Sequence, residues 1–145
     1  MKYIKLFENF ESYDPYELMI IPPNKKAEMI VREINKDEPN LNLVSDLIVL
    51  GANLEWKDED GVTPLLVAIR WDKVEIARML IEAQADVNVQ DKFNRTPLRE
   101  ATWNGQVEIV KMLIGAGARK DIRDDEGMFP YDFARTEELK KLLKP

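Results

Sequence analysis

The side chains of this 145-residue chain that could do chemistry are carboxylates, lysines and arginines, because it holds neither histidine nor cysteine. That removes Ser-His and Cys-His nucleophiles, thiolate chemistry, disulfide bonds and nearly every protein zinc site. What remains is two acidic runs, Asp58-Glu59-Asp60 and Asp124-Asp125-Glu126, and one small-residue turn, Gly115-Ala116-Gly117. A calcium loop needs oxygen ligands at alternating positions closed by a distal bidentate Glu, and neither run has that spacing. A phosphate loop needs a strand before it and Gly-Lys-Ser/Thr after it, which the Gly115 turn lacks. Paired carboxylates exchange protons with a substrate only where a pocket holds them together, and nothing in the order of residues does so. No catalytic residue, metal ligand or cofactor site is expected, and the acidic runs read as solvated loop tips.

Composition narrows the classes further. The net charge is -6, with 45% hydrophobic and 33% charged residues, as in an ordinary folded domain. Nucleic acid calls for a continuous basic stripe, so none is expected as a partner. No apolar run nears the ~20 residues that cross a bilayer. Lys2, Lys5, Glu8 and Glu11 stand where a signal peptide would be apolar. A cytoplasmic, monomeric protein with no membrane contact is therefore expected.

The elements that could position a binding surface come from an internal repeat. Asp58, Asp91 and Asp124 are 33 residues apart, as are Gly61, Asn94 and Gly127. Thr63-Pro64-Leu65 recurs as Thr96-Pro97-Leu98 and weakly as Phe129-Pro130-Tyr131. Ala68, Ala101 and Ala134 keep the step, as do Val74-Glu75-Ile76 with Val107-Glu108-Ile109 and Leu80-Ile81 with Leu113-Ile114. The threonines suit helix N-caps, with proline at the first helical position, where no donor is missed. Gly61, Asn94 and Gly127 tolerate the positive φ of a tight turn. Leu65, Ala68 and Ile69 then line one helix, and Ile76, Ala77, Leu80 and Ile81 the apolar stripe of a second. Gly51 and Gly117 suit left-handed helix ends, and Gln84 in the same register costs about 1 kcal/mol.

Asp58 through Ala68, with Val74 to Ile81 and Ala85 to Asn88, resembles a unit of the ankyrin repeat family, and 91–123 resembles a second. The family usually carries His after Thr-Pro-Leu; here Leu66 and Arg99 stand there. The resemblance implies an all-α solenoid of stacked helix-turn-helix units with hairpin-like loops along one edge. Lys25 to Asn35 and Leu41 to Leu50, joined by a turn at Pro39-Asn40, read as a degenerate capping repeat over 25–57. Repeats follow at 58–90 and 91–123, and a truncated cap at 124–145. In that cap 129–134 is predicted as a first helix and 137–144 as a charged second one.

Residues 1–24 stand outside the period. Tyr3, Phe7 and Phe10 are spaced for a short amphipathic helix over 2–11, and Tyr13 and Tyr16 follow. This segment either covers the first repeat or docks elsewhere as an apolar helix. Its opening, Lys2 to Phe10, resembles the starts of some tailed-phage proteins. The second option gives the alternative function, a phage-encoded, self-assembling or scaffold protein.

The resemblance implies that a partner protein binds the hairpin tips and the exposed side of the first helices, without catalysis. Carried over position by position, that surface comprises Lys57, Glu59, Asp60, Val62, Arg70 and Trp71. The next unit adds Gln90, Lys92, Phe93, Arg95, Trp103 and Asn104, and the last adds Arg123, Asp125, Glu126 and Met128. Trp71, Phe93 and Trp103 stand out as large aromatics, the type enriched at interface hot spots, whereas Trp56 reads as packing. Net charges of -4, +3 and -2 over 58–90, 91–123 and 124–145 suggest an acidic–basic–acidic face.

Overall fold

A computed structural model of the chain describes residues 14–145. The predicted amphipathic helix over 2–11, with Tyr3, Phe7, Phe10 and also Tyr13, lies outside the described residues. Among these residues there are eight α-helices and one 3-10 turn: α1 Pro15–Met19, α2 Pro23–Ile34, α3 Leu41–Val49, α4 Pro64–Arg70, α5 Val74–Glu82, α6 Pro97–Trp103, α7 Val107–Gly115, the 3-10 turn Pro130–Phe133, and α8 Glu137–Leu143. No strand occurs among them.

Five of the eight α-helices start where a side-chain oxygen meets a free backbone amide. Thr63 accepts from the amide of Leu66, Thr96 from Arg99 and Thr136 from Leu139. Pro64 and Pro97 occupy the first helical turns. Asn40, predicted only as a turn residue, caps α3 through the amide of Leu43 at 3.0 Å.

The helices stop in a repeated way. After α5 the amide of Gln84 donates to the carbonyl of Ile81 and that of Ala85 to Leu80, with Gln84 at φ 65°. Gly51–Ala52 and Gly117–Ala118 close α3 and α7 with the same two bonds. This is the Schellman arrangement, in which one left-handed residue lets two orphan carbonyls be satisfied. The first helices of the two central units end likewise at Asp72 and Gly105, a stop that the repeat pattern did not reveal. Their closing bonds run from Lys73 to Ala68 and from Gln106 to Ala101.

The helices pair α2–α3, α4–α5, α6–α7 and the 3-10 turn with α8. First helices pack on first helices and second on second down the stack. One apolar core runs through it, built on Ile30, Leu43, Leu47, Leu65, Ile69, Leu80, Leu98, Leu113 and Leu139, all at most 1% exposed. Successive loops are tied by side chains one period apart. Glu55 Oε1 accepts from the amide of Asp86, and Asn88 Oδ1 from that of Arg119, both at 2.8 Å. From the extension, Leu18 and Ile21 are buried in the same core, while Tyr16 is 78% exposed.

The segment predicted as a helix over 129–134 is a single 3-10 turn. The amide of Phe129 bonds to Asp132 Oδ2 at 2.8 Å, the usual bond of a helix start, but Ala134 is already extended at ψ 110°, so the chain leaves the helix after one turn. Leu66, at the position where the family usually has His, is fully buried with Val62 and Val89 in a small satellite cluster.

Replacing Gln84 by Gly removes a side chain from a left-handed residue. Gln84→Gly is expected to raise stability by about 0.5–1 kcal/mol, read as a higher urea midpoint with an unchanged slope.

Candidate partner-binding surface

The surface is organised by three hairpins, each built around one aspartate. Asp58 Oδ1 accepts from the amides of Asp60 and Val62, both at 2.9 Å. Asp91 Oδ1 accepts from Phe93 at 2.8 Å and Arg95 at 3.0 Å, and Asp124 Oδ1 from Glu126 at 3.1 Å and Met128 at 3.0 Å. A carboxylate taking two backbone amides closes the loop in one shape. The hairpins then bond to one another, the amide of Lys92 to the carbonyl of Asp60 and that of Asp125 to the carbonyl of Phe93. Of the two acidic runs, Asp58-Glu59-Asp60, Asp125 and Glu126 are exposed as expected, and Asp124 alone departs: it is 7% exposed, like Asp91 at 5% in the hairpin between them.

The second oxygens of Asp91 and Asp124 face the first helices and meet arginines. Arg70 Nη2 lies 2.6 Å and Arg95 Nε 3.1 Å from Asp91 Oδ2. Arg99 Nε lies 3.2 Å from Asp124 Oδ2. Glu100 sits between the groups, 3.5 Å from Arg70, 3.6 Å from Arg95 and 3.7 Å from Arg99. Three guanidinium groups and three carboxylates thus form one neutral chain along the floor of the surface. Burial pushes the Asp91 carboxyl up. The amides of Arg95 and Phe93 and the hydrogen bond from Arg70 outweigh that and hold it below its ordinary value.

Phe93 and Trp103 lie against arginines of this floor, and Trp71 stands at the end of α4. Trp71 is 63% exposed, Trp103 47% and Phe93 44%. Phe93 carries the Arg95 guanidinium 4.4 Å from its ring centre and Lys92 Nζ at 5.0 Å. Trp103 meets Phe133 edge to face at 5.5 Å and lies 5.2 Å from both Arg99 and Arg135. Cation–π contacts of this kind hold a ring in place while one side stays open to solvent. A cleft of about 360 Å³ opens between the last two hairpins, lined by Phe93, Arg95, Arg99, Asp124, Asp125 and Glu126.

Of the residues expected here, Lys57, Glu59, Asp60, Gln90, Lys92, Asn104, Arg123, Asp125 and Glu126 are exposed along with the three aromatics. Lys92 is paired with Asp60, Asn94 with Asp125, and Arg123 lies 4.5 Å from the Phe129 ring. Arg70, Arg95 and Met128 are half-buried. Val62 is a correction. It is 5% exposed, packed on Leu66 and Val89, because the residue before the capping threonine turns inward; it is a packing residue and not a contact.

Sequence reasoning missed Glu100, Asp91, Arg99 and Asp124 as members of the ion-pair chain, and Phe133 and Arg135 as the setting of Trp103. The 33-residue spacing of the aspartates was a signal for their role in the hairpins. Glu100 had none, since Val67 holds its place one unit earlier.

A family model for three copies of the ankyrin repeat matches residues 33–124. The chain belongs to the ankyrin repeat family. Ankyrin repeats are protein–protein interaction modules and generally non-catalytic. The chain is also similar to a probable E3 ubiquitin-protein ligase, XBOS34, of Oryza sativa subsp. japonica, at 39% identity over 64 residues. That match takes in 43% of this chain, which spans only 12% of the length of the rice protein. No helix among the described residues is long and apolar enough to cross a membrane, and no group of three or more Asp and Glu among them could hold a metal ion.

A depressed carboxyl pKa in the folded state stabilises the fold above the unfolded value, near pH 4. That contribution is lost as pH falls through the lower folded-state value. Asp91→Asn is expected to cost about 1–3 kcal/mol at pH 7. The gap from the unmodified protein should narrow as the pH is taken to 3, measured by urea unfolding at both pH values.

Proposed function

We propose that the chain is a non-catalytic binding module that takes a partner protein on its hairpin tips and the exposed side of its first helices. The observation that carries this reading is the exposure of Trp71, Phe93 and Trp103, the last two of them against arginines of an already paired ionic floor. A ring left open to water gains its burial energy only when a partner covers it, and rings clamped by arginines lose little entropy on binding. The floor has its charges matched before any partner arrives, so binding strands no buried charge. The rice protein's name describes ubiquitin ligation, and a match over 12% of its length carries no ligase activity across.

The test is affinity capture from the native host, with the unmodified chain and Phe93→Ala and Trp103→Ala variants as baits. Titration calorimetry with the captured protein follows. Each substitution is expected to weaken binding by about 1–3 kcal/mol while circular dichroism and thermal midpoint stay nearly unchanged. Unchanged affinity in both variants rejects this surface, and unfolding of both places the rings in the core.

A further inference from the structure

Phe93 and Trp103 differ in the cations they touch. Those on Phe93 have carboxylates of their own: Arg95 is held by Asp91 and Lys92 by Asp60. Trp103 touches two guanidinium groups, those of Arg99 and Arg135, each 5.2 Å from the ring. Arg99 is bonded to Asp124. Arg135 is exposed, and among the described residues it lies on Trp103 with no carboxylate in ion-pair reach.

The backbone accounts for this placement. Thr102 and Ile69, one and two periods before Arg135, are fully buried on their helices. In the last unit the chain turns extended at Ala134, and Arg135 leaves that inward register. Its guanidinium reaches back over the preceding unit to Trp103, which Phe133 steadies edge to face. The carboxylates near it in the chain are engaged. Asp132 accepts from the amide of Phe129, Glu137 pairs with Lys140 at 3.2 Å and Glu138 with Lys111 at 2.7 Å. Asp124 is shared between its hairpin amides and Arg99. Glu126 stands apart at the hairpin tip, in the cleft with Phe93. The charges of the floor cancel, whereas the charge resting on Trp103 does not.

We propose that the Trp103 end of the surface receives an acidic segment of the partner protein, with a Glu or Asp carboxylate on Arg135 and a neighbouring apolar side chain against the Trp103 ring. This specificity presupposes the aromatic binding surface proposed above. A guanidinium fork matches a carboxylate through two parallel hydrogen bonds, and a cation already resting on an aromatic face loses less freedom when it pairs. A lysine or arginine brought to the same place meets Arg135 as a like charge, so the group rejects wrong partners as well as attracting right ones.

Selection from an mRNA-displayed random peptide library tests this, with the full chain as bait. Phe93→Ala, Trp103→Ala and Arg135→Glu serve as parallel baits, each checked for its fold by circular dichroism. Peptides that need Trp103 should be enriched in Asp or Glu next to a large apolar residue. For a labelled peptide of the strongest family, followed by fluorescence anisotropy, Arg135→Glu should weaken binding about tenfold or more. The same peptide with its acidic residue replaced by Lys should bind the parent weakly and regain affinity for Arg135→Glu, an exchange that loss of structure cannot produce. If Arg135→Glu is unfolded, Arg135→Gln decides the matter, with a loss of about threefold expected for the acidic peptide and none for its neutral version. Peptides that need Trp103 yet show no acidic preference, or that bind the Arg135 variant as tightly as the parent, overturn the acidic specificity and leave the aromatic surface standing. If no peptide is enriched, or none needs either ring, the surface and the specificity fall together.

Discussion

Everything in this molecule depends on a carboxylate accepting two backbone amides at the root of each hairpin. Asp58, Asp91 and Asp124 do this with almost the same geometry. The bond sets the shape of the loop, and the loop sets where the following threonine begins its helix. Because the loops share one shape, their backbones can bond to each other, and the helices behind them arrive at a constant offset. The apolar faces then meet in register, and one core runs the length of the stack instead of a separate core in each unit.

Two of these carboxylates, Asp91 and Asp124, also connect fold to surface. With one oxygen engaged by the hairpin, the other is left facing the first helices, where Arg70, Arg95 and Arg99 answer it. This revises the acidic–basic–acidic face suggested by residue counts. Much of that alternation is consumed between neighbouring units, in the Arg70–Asp91 and Arg99–Asp124 pairs within the floor and the Lys92–Asp60 pair at the tips. What remains exposed on the proposed binding surface is mainly aromatic, with exposed Lys57, Glu59 and Glu126 around it. An open ring clamped by guanidinium groups is a different recognition element from a striped charge field. It rewards apolar contact and shape at short range, where a charge field acts through steering.

Much of this was legible in the residues. The period, the capping threonines, the prolines behind them and the left-handed helix ends are local matters, decided within a few residues. Two local readings failed for reasons that are also physical. Residues 129–134 carry a helix-like apolar pattern and begin with the capping bond of a helix, but the backbone turns extended at Ala134 and only one 3-10 turn forms. Val62 sits on a loop and still turns inward, because its neighbours in space are Leu66 and Val89, and the second of these lies 27 residues away.

Sequence alone determined the family, the number and kind of helices in the central repeats, and the absence of thiol and imidazole chemistry, because each follows from composition or from contacts shorter than one turn. Only the tertiary structure decided which charges are paired, which of two acidic-run aspartates is buried, and which aromatics remain open. Those outcomes depend on side chains 20 to 35 residues apart meeting across adjacent units, as Arg70 and Asp91 do. Their distance is set by the stacking of whole repeats and leaves no trace in the order of residues around either one.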